Sequence, residues 1–193
     1  MLSLEESLKI LKETNALLEG HFILSSGLHS PQYVQCAKLM SKPEKAHKIC
    51  ASLSEKIINE FKDFDLVLSP AIGGIVIGYE IGRLLKKETI FSERVDGKFV
   101  LRRDFLIKKN QRVVIVEDVI TTGKSSLECS NIIKKMNATI VGYACIIDRS
   151  NGKSLIKDKI VSQVQLSIPT YTKENLPKEL IGIDAIKPGS RNL

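Results

Sequence analysis

Three continuous apolar segments constrain the fold of this chain most strongly: LVLS at 66–69, VVIVE at 113–117 and TIVGYACIID at 139–148. Each is short enough for a strand and lacks polar alternation, as expected of strands buried on both faces. Helical patterns lie between them, at 75–85 and 125–136. Because strands that alternate with helices form a mainly parallel, twisted sheet flanked by helices, the sequence predicts an α/β fold.

The N-terminal segment predicts a small subdomain that precedes this sheet. Ser3 and Glu6 form a capping box that starts an amphipathic helix, which is expected to end at Gly20. Residues 22–37 then predict two short strands around a Ser-Ser-Gly turn, with Pro31 limiting the pairing to an edge. We call residues 1–40 the hood and expect it to belong to one domain that spans residues 1–193.

The remaining elements are predicted from helix-starting and loop residues and from the spacing of apolar residues. Pro43 starts a helix that presents apolar residues on one face. ETIFSER at 88–94 predicts a strand that is followed by a polar loop, VDGK, at 95–98, and a short hairpin is expected before the buried strand at 113–117. The C-terminal part contains one more strand, within VSQVQLSI at 161–168, and a loosely structured tail.

Composition excludes several classes of protein. The four cysteines are widely separated, so neither a zinc cluster nor a disulfide framework is expected, and a reducing cytoplasm is the expected location. The chain contains no run of roughly 18 apolar residues, so no membrane partner is expected. The N-terminal helix mixes acids and bases, unlike a signal peptide. The net charge of +7 favours a polyanionic partner, but the basic pairs are scattered without aromatic residues, so nucleic acid is not expected.

The segment VVIVEDVITTGKSS, residues 113–126, has the features of a sugar-phosphate site, and we call it the cradle segment. Glu117 and Asp118 supply acceptors for sugar hydroxyls, and the loop before the next helix supplies backbone N–H donors for a phosphate. Gly123 permits a tight turn, and Lys124 adds charge or faces solvent. Four hydroxyls are expected to donate to the phosphate: Thr121, Thr122, Ser125 and Ser126. The competing interpretation is a strand end followed by an ordinary polar helix cap.

Two other phosphate motifs are excluded by spacing. Gly123, Lys124 and Ser125 resemble the end of the nucleoside-triphosphate loop GxxxxGK[ST], which requires glycine at position 118. That position is Asp118, and its carboxylate would repel the phosphates. The other glycine-rich turn, AIGGIVIGYEIG at 71–82, lacks the GxGxxG spacing of a dinucleotide site.

The cradle segment closely resembles the signature of type I phosphoribosyltransferases. The segments at 20–40, 93–105 and 146–149 further resemble orotate phosphoribosyltransferases, so the resemblance runs from about Gly20 to Arg149. It implies transfer of a phosphoribosyl group from phosphoribosyl pyrophosphate to orotate, with Mg²⁺ carried by the pyrophosphate and no metal ligated directly by side chains. It also implies that the sugar phosphate is bound by Glu117, Asp118, Val119, Ile120, Thr121, Thr122, Gly123, Lys124 and Ser125.

The same resemblance assigns the acceptor base. Thr121 and Arg149 are expected to contact orotate, and Tyr33 and Val34 of the hood are expected to lie near its ring. Arg94 and Lys98 belong to a basic loop that is expected to act as a mobile cover over the neighbouring subunit's site. The resemblance therefore implies a homodimer with shared active sites.

The sequence departs from some family members at two positions. Ile72 and Gly73 replace a Tyr-Lys pair, and Ser25 replaces a lysine in the hood. Backbone amides of residues 71–74 are expected to take the place of the missing side-chain charge.

Two alternatives remain open at this point. One is another type I phosphoribosyltransferase that uses a purine or uracil, and the other is a regulator that senses phosphoribosyl pyrophosphate. An enzyme of this kind passes through a transition state that resembles an oxocarbenium ion, so the absence of a nucleophilic dyad is no objection. A decarboxylase barrel of about 250 residues would not fit within this chain, so the single-activity form is expected.

Overall fold

The structure is a computed structural model that describes residues 1–24 and 26–188. The N-terminal elements comprise three helices and a two-stranded antiparallel sheet. In chain order they are α1 (Leu4–Glu13), β1 (Leu17–Ile23), β2 (His29–Val34), α2 (Cys36–Met40) and α3 (Pro43–Phe61). The predicted capping box of α1, the strand pair of the hood and the helix that starts at Pro43 are thereby confirmed.

The prediction that the first helix ends at Gly20 is wrong. Asn15 takes a left-handed backbone conformation with φ of 55°, and α1 ends at Glu13, seven residues before Gly20. The Ala16 N–H then donates to the Leu11 carbonyl at 2.8 Å, and the Asn15 N–H donates to the Lys12 carbonyl at 3.0 Å. This pattern is a Schellman motif, in which asparagine replaces the usual glycine. Leu18 consequently belongs to β1 and not to the helix.

A six-stranded sheet forms the centre of the molecule, in the order β5-β4-β3-β6-β7-β8. All neighbouring strands are parallel except β4 and β5. Its elements and the helices between them are β3 (Leu66–Pro70), α4 (Gly73–Leu85), β4 (Glu88–Val95), β5 (Lys98–Leu101), β6 (Arg112–Ile120), α5 (Lys124–Lys135), β7 (Thr139–Asp148) and β8 (Ile160–Gln165). The predicted mainly parallel α/β sheet is confirmed.

The core consists of two layers, one on each face of the sheet. Val114 and Val116 of β6 pack with α1, α3 and α4 on one face. Val113 and Ile115 pack with α5 on the other face. Side chains alternate along a strand, so a continuous apolar run is what a strand needs when helices cover both faces.

The predicted polar loop at 95–98 is the turn of a hairpin. Val95 of β4 pairs with Lys98 of β5, and Asp96 and Gly97 connect them with φ of 48° and 77°. Positive φ at both positions matches a two-residue turn whose twist fits the strands that it joins. The basic segment therefore forms an ordered antiparallel pair.

The C-terminal segment completes the hood. The backbones of His29 and Tyr171 exchange two hydrogen bonds, at 2.8 and 2.9 Å. On the other strand, the Ile23 N–H donates to the Ile186 carbonyl, and the Ile186 N–H donates to the His21 carbonyl. The hood is thus built from both ends of the described chain. Within residues 1–24 and 26–188, no helix has the length and hydropathy needed to cross a bilayer.

Candidate active site

The candidate site lies where the carboxyl ends of β3, β6 and β7 meet. These strands are neighbours in the parallel sheet, so the segments that follow them emerge at the same edge. They are residues 71–72 before α4, residues 121–123 before α5, and Arg149 after β7. Ligands of open α/β sheets bind at this kind of edge.

Both carboxylates of the acidic pair are placed on β6 near this edge. The strand does not stop at Glu117 but continues through Asp118 to Ile120. Burial raises the pKa of Glu117 to about 7, and hydrogen bonds from Ser126 and Ser125 oppose that rise. Burial also raises the pKa of Asp118, against hydrogen bonds from the backbone N–H groups of Val119 and Asp118 itself. Among the described residues, no ion pair neutralises either carboxylate.

Asp118 faces the start of α4. A Cβ atom at Gly73 would lie 2.8 and 2.9 Å from the two carboxylate oxygens of Asp118, so only glycine allows this approach. The helix N-terminus carries a partial positive charge that favours a nearby anion. The hood reaches the same point, since the Cys36 thiol lies 3.9 Å from the Asp118 carbonyl oxygen. Gly73, which replaces a lysine of some family members, thus brings backbone close to the acidic pair.

The loop at 121–123 is held by a segment that follows β7. The Leu155 N–H donates to the Thr122 carbonyl at 2.9 Å. Gly123 is buried with φ of 77°, and a Cβ there would lie 2.6 Å from Ser154 Oγ and 2.8 Å from Ile156 Cγ1. The side chains of Thr121, Thr122 and Lys124 are exposed, so this loop presents polar groups to the open side of the site.

Replacing Gly123 with alanine is expected to destabilise the loop and to raise the KM for phosphoribosyl pyrophosphate, the substrate that the resemblance implies. The left-handed conformation alone costs a residue with a Cβ about 1 to 2 kcal/mol, and the contacts with Ser154 and Ile156 add to it. Urea unfolding and steady-state kinetics would measure both effects. Gly152→Ala is the matched control, because Gly152 has φ of 70° but a Cβ there would meet no atom within 4 Å. Equal losses in the two variants would contradict the packing role of Gly123.

The expectation that Ser126 donates to a phosphate is wrong. Its side chain is fully buried, and its hydroxyl donates to a Glu117 carboxylate oxygen at 2.5 Å. The helix starts one residue earlier than predicted, at Lys124, which turns Ser126 towards the sheet. Thr121 and Thr122 are exposed on the open side of the loop, whereas Ser125 is partly buried and its hydroxyl also interacts with Glu117.

Arg149 lies beside the cradle segment. Its backbone N–H donates to the Ile120 carbonyl at 2.9 Å, which fixes the end of β7 against the end of β6. The residue is half-buried, and burial lowers the pKa of its guanidinium, with an opposing influence from Tyr33 of the hood. Tyr33 in turn packs against Phe22, with ring centroids 5.7 Å apart. The guanidinium makes no ion pair or side-chain hydrogen bond with any residue that the structure describes.

The basic hairpin continues β4 beyond Ser92, which pairs with Pro70 at the carboxyl end of β3, so it projects from the same edge of the sheet, with β3 between β4 and β6. Arg94 stacks over Phe99 at 4.2 Å and forms an ion pair with Glu128 of α5 at 2.9 Å. Arg103 pairs with Glu93 at 2.7 Å. Lys98 is exposed, and its side chain has no partner among the described residues. The predicted basic residues thus share one element, but among the described residues none of them forms an ion pair with Glu117 or Asp118 of their own chain.

One predicted feature cannot be placed. Ser25, which replaces a lysine of some family members, lies outside the described residues, as do residues 189–193 of the predicted tail.

Comparison with known proteins agrees with this arrangement. A family model described as the phosphoribosyl transferase domain matches residues 40–174. The orotate phosphoribosyltransferase of Parvibaculum lavamentivorans is 48% identical over 190 residues, which cover 98% of each chain. That of Methylorubrum extorquens is also 48% identical over 190 residues, covering 98% of this chain and 97% of the relative.

A solved structure shows the same fold. The crystal structure of orotate phosphoribosyltransferase from Aeropyrum pernix superimposes with a TM-score of 0.69 and 24% identity, covering 82% of this chain and 92% of the other. Residues 40–174, which the family model matches, contain β3, β6 and β7, whose carboxyl ends form the candidate site. The chain therefore belongs to the type I phosphoribosyltransferase family, in its orotate phosphoribosyltransferase branch.

Proposed function

We propose that the protein transfers the 5-phosphoribosyl group from phosphoribosyl pyrophosphate to orotate, giving orotidine 5′-monophosphate and pyrophosphate in UMP biosynthesis. The bond from the anomeric carbon to the pyrophosphate oxygen breaks, a bond from that carbon to N1 of orotate forms, and the N1 proton is released. The single observation that carries this proposal is Arg149, a half-buried guanidinium without a partner among the described residues, beside the cradle segment.

An unpaired arginine in this position favours an anionic ligand. A buried charge is costly unless it is paired, so the position of Arg149 is most readily explained if a ligand supplies the anion. A guanidinium binds a planar carboxylate through two parallel hydrogen bonds. Orotate is a pyrimidine with one carboxylate, whereas uracil and hypoxanthine have none. Tyr33 lies on the hood side of Arg149, where it can pack against a planar base.

The sugar is proposed to occupy the cradle segment. Glu117 and Asp118 accept hydrogen bonds from the ribose hydroxyls, and the N–H groups of residues 121–125 bind the 5-phosphate at the start of α5. The start of α4, next to Asp118, offers further N–H groups towards the pyrophosphate. Such fixed donors and acceptors stabilise charge that develops as the leaving group departs.

Mg²⁺ is proposed to arrive as part of the substrate, bound to pyrophosphate. Within the described part of the chain, no group of three or more His, Cys, Asp or Glu side chains is placed to hold a metal ion. The protein's own contribution is then to orient the pyrophosphate with N–H groups and with positive charge.

An ultraviolet assay of the purified protein tests the proposal. The protein is supplied with phosphoribosyl pyrophosphate and Mg²⁺, and with orotate, uracil or hypoxanthine in separate reactions. Consumption of orotate alone is expected. Consumption of uracil or hypoxanthine in preference to orotate would assign another enzyme of the family, and binding of phosphoribosyl pyrophosphate without turnover of any base would favour the regulator.

The protein is further proposed to act as a homodimer with shared sites. The basic residues Arg94 and Lys98 lie on the hairpin of β4 and β5, which is separated from β6 by β3 in the sheet. Because Gly73 leaves the start of α4 without a lysine side chain, the hairpin of a second copy would supply positive charge to the pyrophosphate. A candidate contact face lies next to the site, where Ile72 just before α4 and Val76 and Tyr79 on α4 are 85%, 53% and 65% exposed.

Tyr79→Glu is expected to convert the dimer to monomers and to lower kcat by at least about tenfold, because a charge on an apolar contact face carries an uncompensated desolvation cost. Sedimentation velocity and the orotate assay would measure both effects. Leu4→Glu is the matched control, since Leu4 is 57% exposed on α1, away from α4. A Tyr79→Glu variant that stays dimeric and active would contradict this contact face.

A cytoplasmic location is also proposed. All four cysteines are buried and unpaired, and a chain that keeps its thiols free suits a reducing compartment.

A further inference from the structure

Ser126 has a contact that the proposed reaction does not yet use. It lies in the first turn of α5 with no exposed surface, and its hydroxyl donates to a carboxylate oxygen of Glu117 at 2.5 Å. This contact joins α5 to β6 across nine residues of sequence. Ser126 cannot serve the phosphate from this position, so its role concerns the acidic pair.

The surroundings of Glu117 give this hydrogen bond its importance. Asp118 follows it on β6, Cys145 faces it from β7 in register, and Cys129 lies one turn along α5. Both thiols are buried, and burial raises their pKa, so neither carries charge at neutral pH. Within the described residues, no Lys, Arg or His forms an ion pair with Glu117. The hydroxyls of Ser126 and Ser125 therefore supply the hydrogen bonds that stabilise its ionised form.

The pKa of Glu117 lies near neutral pH because opposing influences act on the carboxyl group. Burial, the largest influence, and the neighbouring Asp118 raise the pKa of Glu117 to about 7. Hydrogen bonding from Ser126 is the largest influence in the opposite direction, because a donated hydrogen bond stabilises the ionised carboxylate. A protonated Glu117 would lose acceptor capacity for a ribose hydroxyl.

We infer that Ser126 is a positioning residue that holds Glu117 in its ionised, ribose-accepting form, so that it sets the acidic limit of activity. The inference rests on the proposed function, since it uses the role of Glu117 at the ribose. It adds a residue that has no assigned contact with either substrate.

Ser126→Ala is expected to shift the acidic limb of kcat/KM for phosphoribosyl pyrophosphate to higher pH. Without the hydroxyl, the pKa of Glu117 rises further, so Glu117 stays protonated over a wider range below neutrality. The limb is expected to move by roughly one pH unit, the scale set by loss of one hydrogen bond to a charged group. At high pH, where Glu117 is ionised in both proteins, the two rates are expected to converge.

Two further variants separate this role from simple packing. Ser126→Thr keeps the hydroxyl and is expected to restore the position of the acidic limb. Ser130→Ala is the matched control, because Ser130 is 1% exposed on the same helix and donates to the Leu127 carbonyl instead of to Glu117. Its limb is expected to stay in place. A Ser126→Ala limb that stays in place, with kcat/KM lowered equally at every pH, would overturn the inference.

A second measurement does not depend on turnover. The ¹³C resonance of the Glu117 carboxyl, identified by its loss in Glu117→Gln, reports ionisation directly as pH is varied. The inference predicts a higher midpoint in Ser126→Ala than in the wild type, and equal midpoints would overturn it. A shifted midpoint in a protein that consumes no orotate would instead reject the proposed function and leave the effect of Ser126 on the carboxyl established.

Discussion

Replacing Arg149 with alanine is expected to raise the KM for orotate by at least about a hundredfold, because two charge-assisted hydrogen bonds to the carboxylate, each worth roughly 1.5 to 3 kcal/mol, are lost together. The KM for phosphoribosyl pyrophosphate is expected to change much less, since the cradle segment is intact. The fold should persist, because the guanidinium has no partner to lose among the described residues. Steady-state kinetics with each substrate varied in turn measures the effect.

Two controls sharpen this result. Arg149→Lys keeps the charge without the planar fork and is expected to recover only part of the affinity for orotate. Arg112→Ala removes another arginine at the opposite end of β6, where its guanidinium pairs with Asp63, and is expected to leave both KM values unchanged. If Arg149→Ala raised the KM for phosphoribosyl pyrophosphate alone, Arg149 would be reassigned from binding the orotate base to binding the pyrophosphate leaving group.

Asp118→Asn is expected to lower kcat by about a hundredfold or more, the scale found when one preorganised electrostatic contact to a transition state is removed. Asparagine keeps the shape of the side chain that faces Gly73, but it replaces a charged acceptor with a neutral amide. The variant therefore tests the charge and not the packing.

The same variant is expected to be at least as stable as the wild type at neutral pH. Burial raises the pKa of Asp118 in the folded state above its ordinary value of 3.8, so the folded protein binds the proton more tightly than the unfolded chain. The free energy of unfolding therefore decreases as the pH rises from the ordinary pKa of 3.8 to the raised pKa of the folded state. Asparagine does not titrate, so it removes that decrease. Thermal unfolding across this range would show it. Unchanged kcat, or a marked loss of stability, would contradict this account of Asp118.

An exposed acid provides the comparison. Asp63→Asn changes a carboxylate at the opposite edge of the sheet, where the side chain is 71% exposed and pairs with Arg112. We expect kcat to be unaffected in that variant.

The central sheet could be predicted from the sequence because its signal is local. Runs such as 113–117 and 139–148 are continuous and apolar, and the structure shows helices on both faces of the strands that they form. Pro43 likewise marks the first residue of α3. The end of α1 was missed because Asn15 adopts a left-handed conformation that is usually taken by glycine, and residue type alone does not reveal it.

Contacts between segments that are distant in sequence account for the other differences between the predictions and the structure. Tyr171 and Ile186 join the hood through backbone hydrogen bonds, which no periodicity in the sequence indicates. A hydroxyl that follows a glycine loop favours a phosphate contact for Ser126, whereas the phase of the helix turns that hydroxyl towards Glu117. Asp96 and Gly97, by contrast, are a strong local signal for a two-residue turn, and the expected hairpin is confirmed, whereas its role as a mobile cover stays a prediction.

A crystal structure of the protein with orotidine 5′-monophosphate tests the central claim most directly, since this ligand contains both the sugar phosphate and the base. The account predicts the 5-phosphate within hydrogen-bonding distance of the N–H groups of residues 121–125, the ribose hydroxyls at Glu117 and Asp118, and the base carboxylate at the Arg149 guanidinium. A phosphate bound elsewhere, or a base carboxylate that does not contact Arg149, would contradict it.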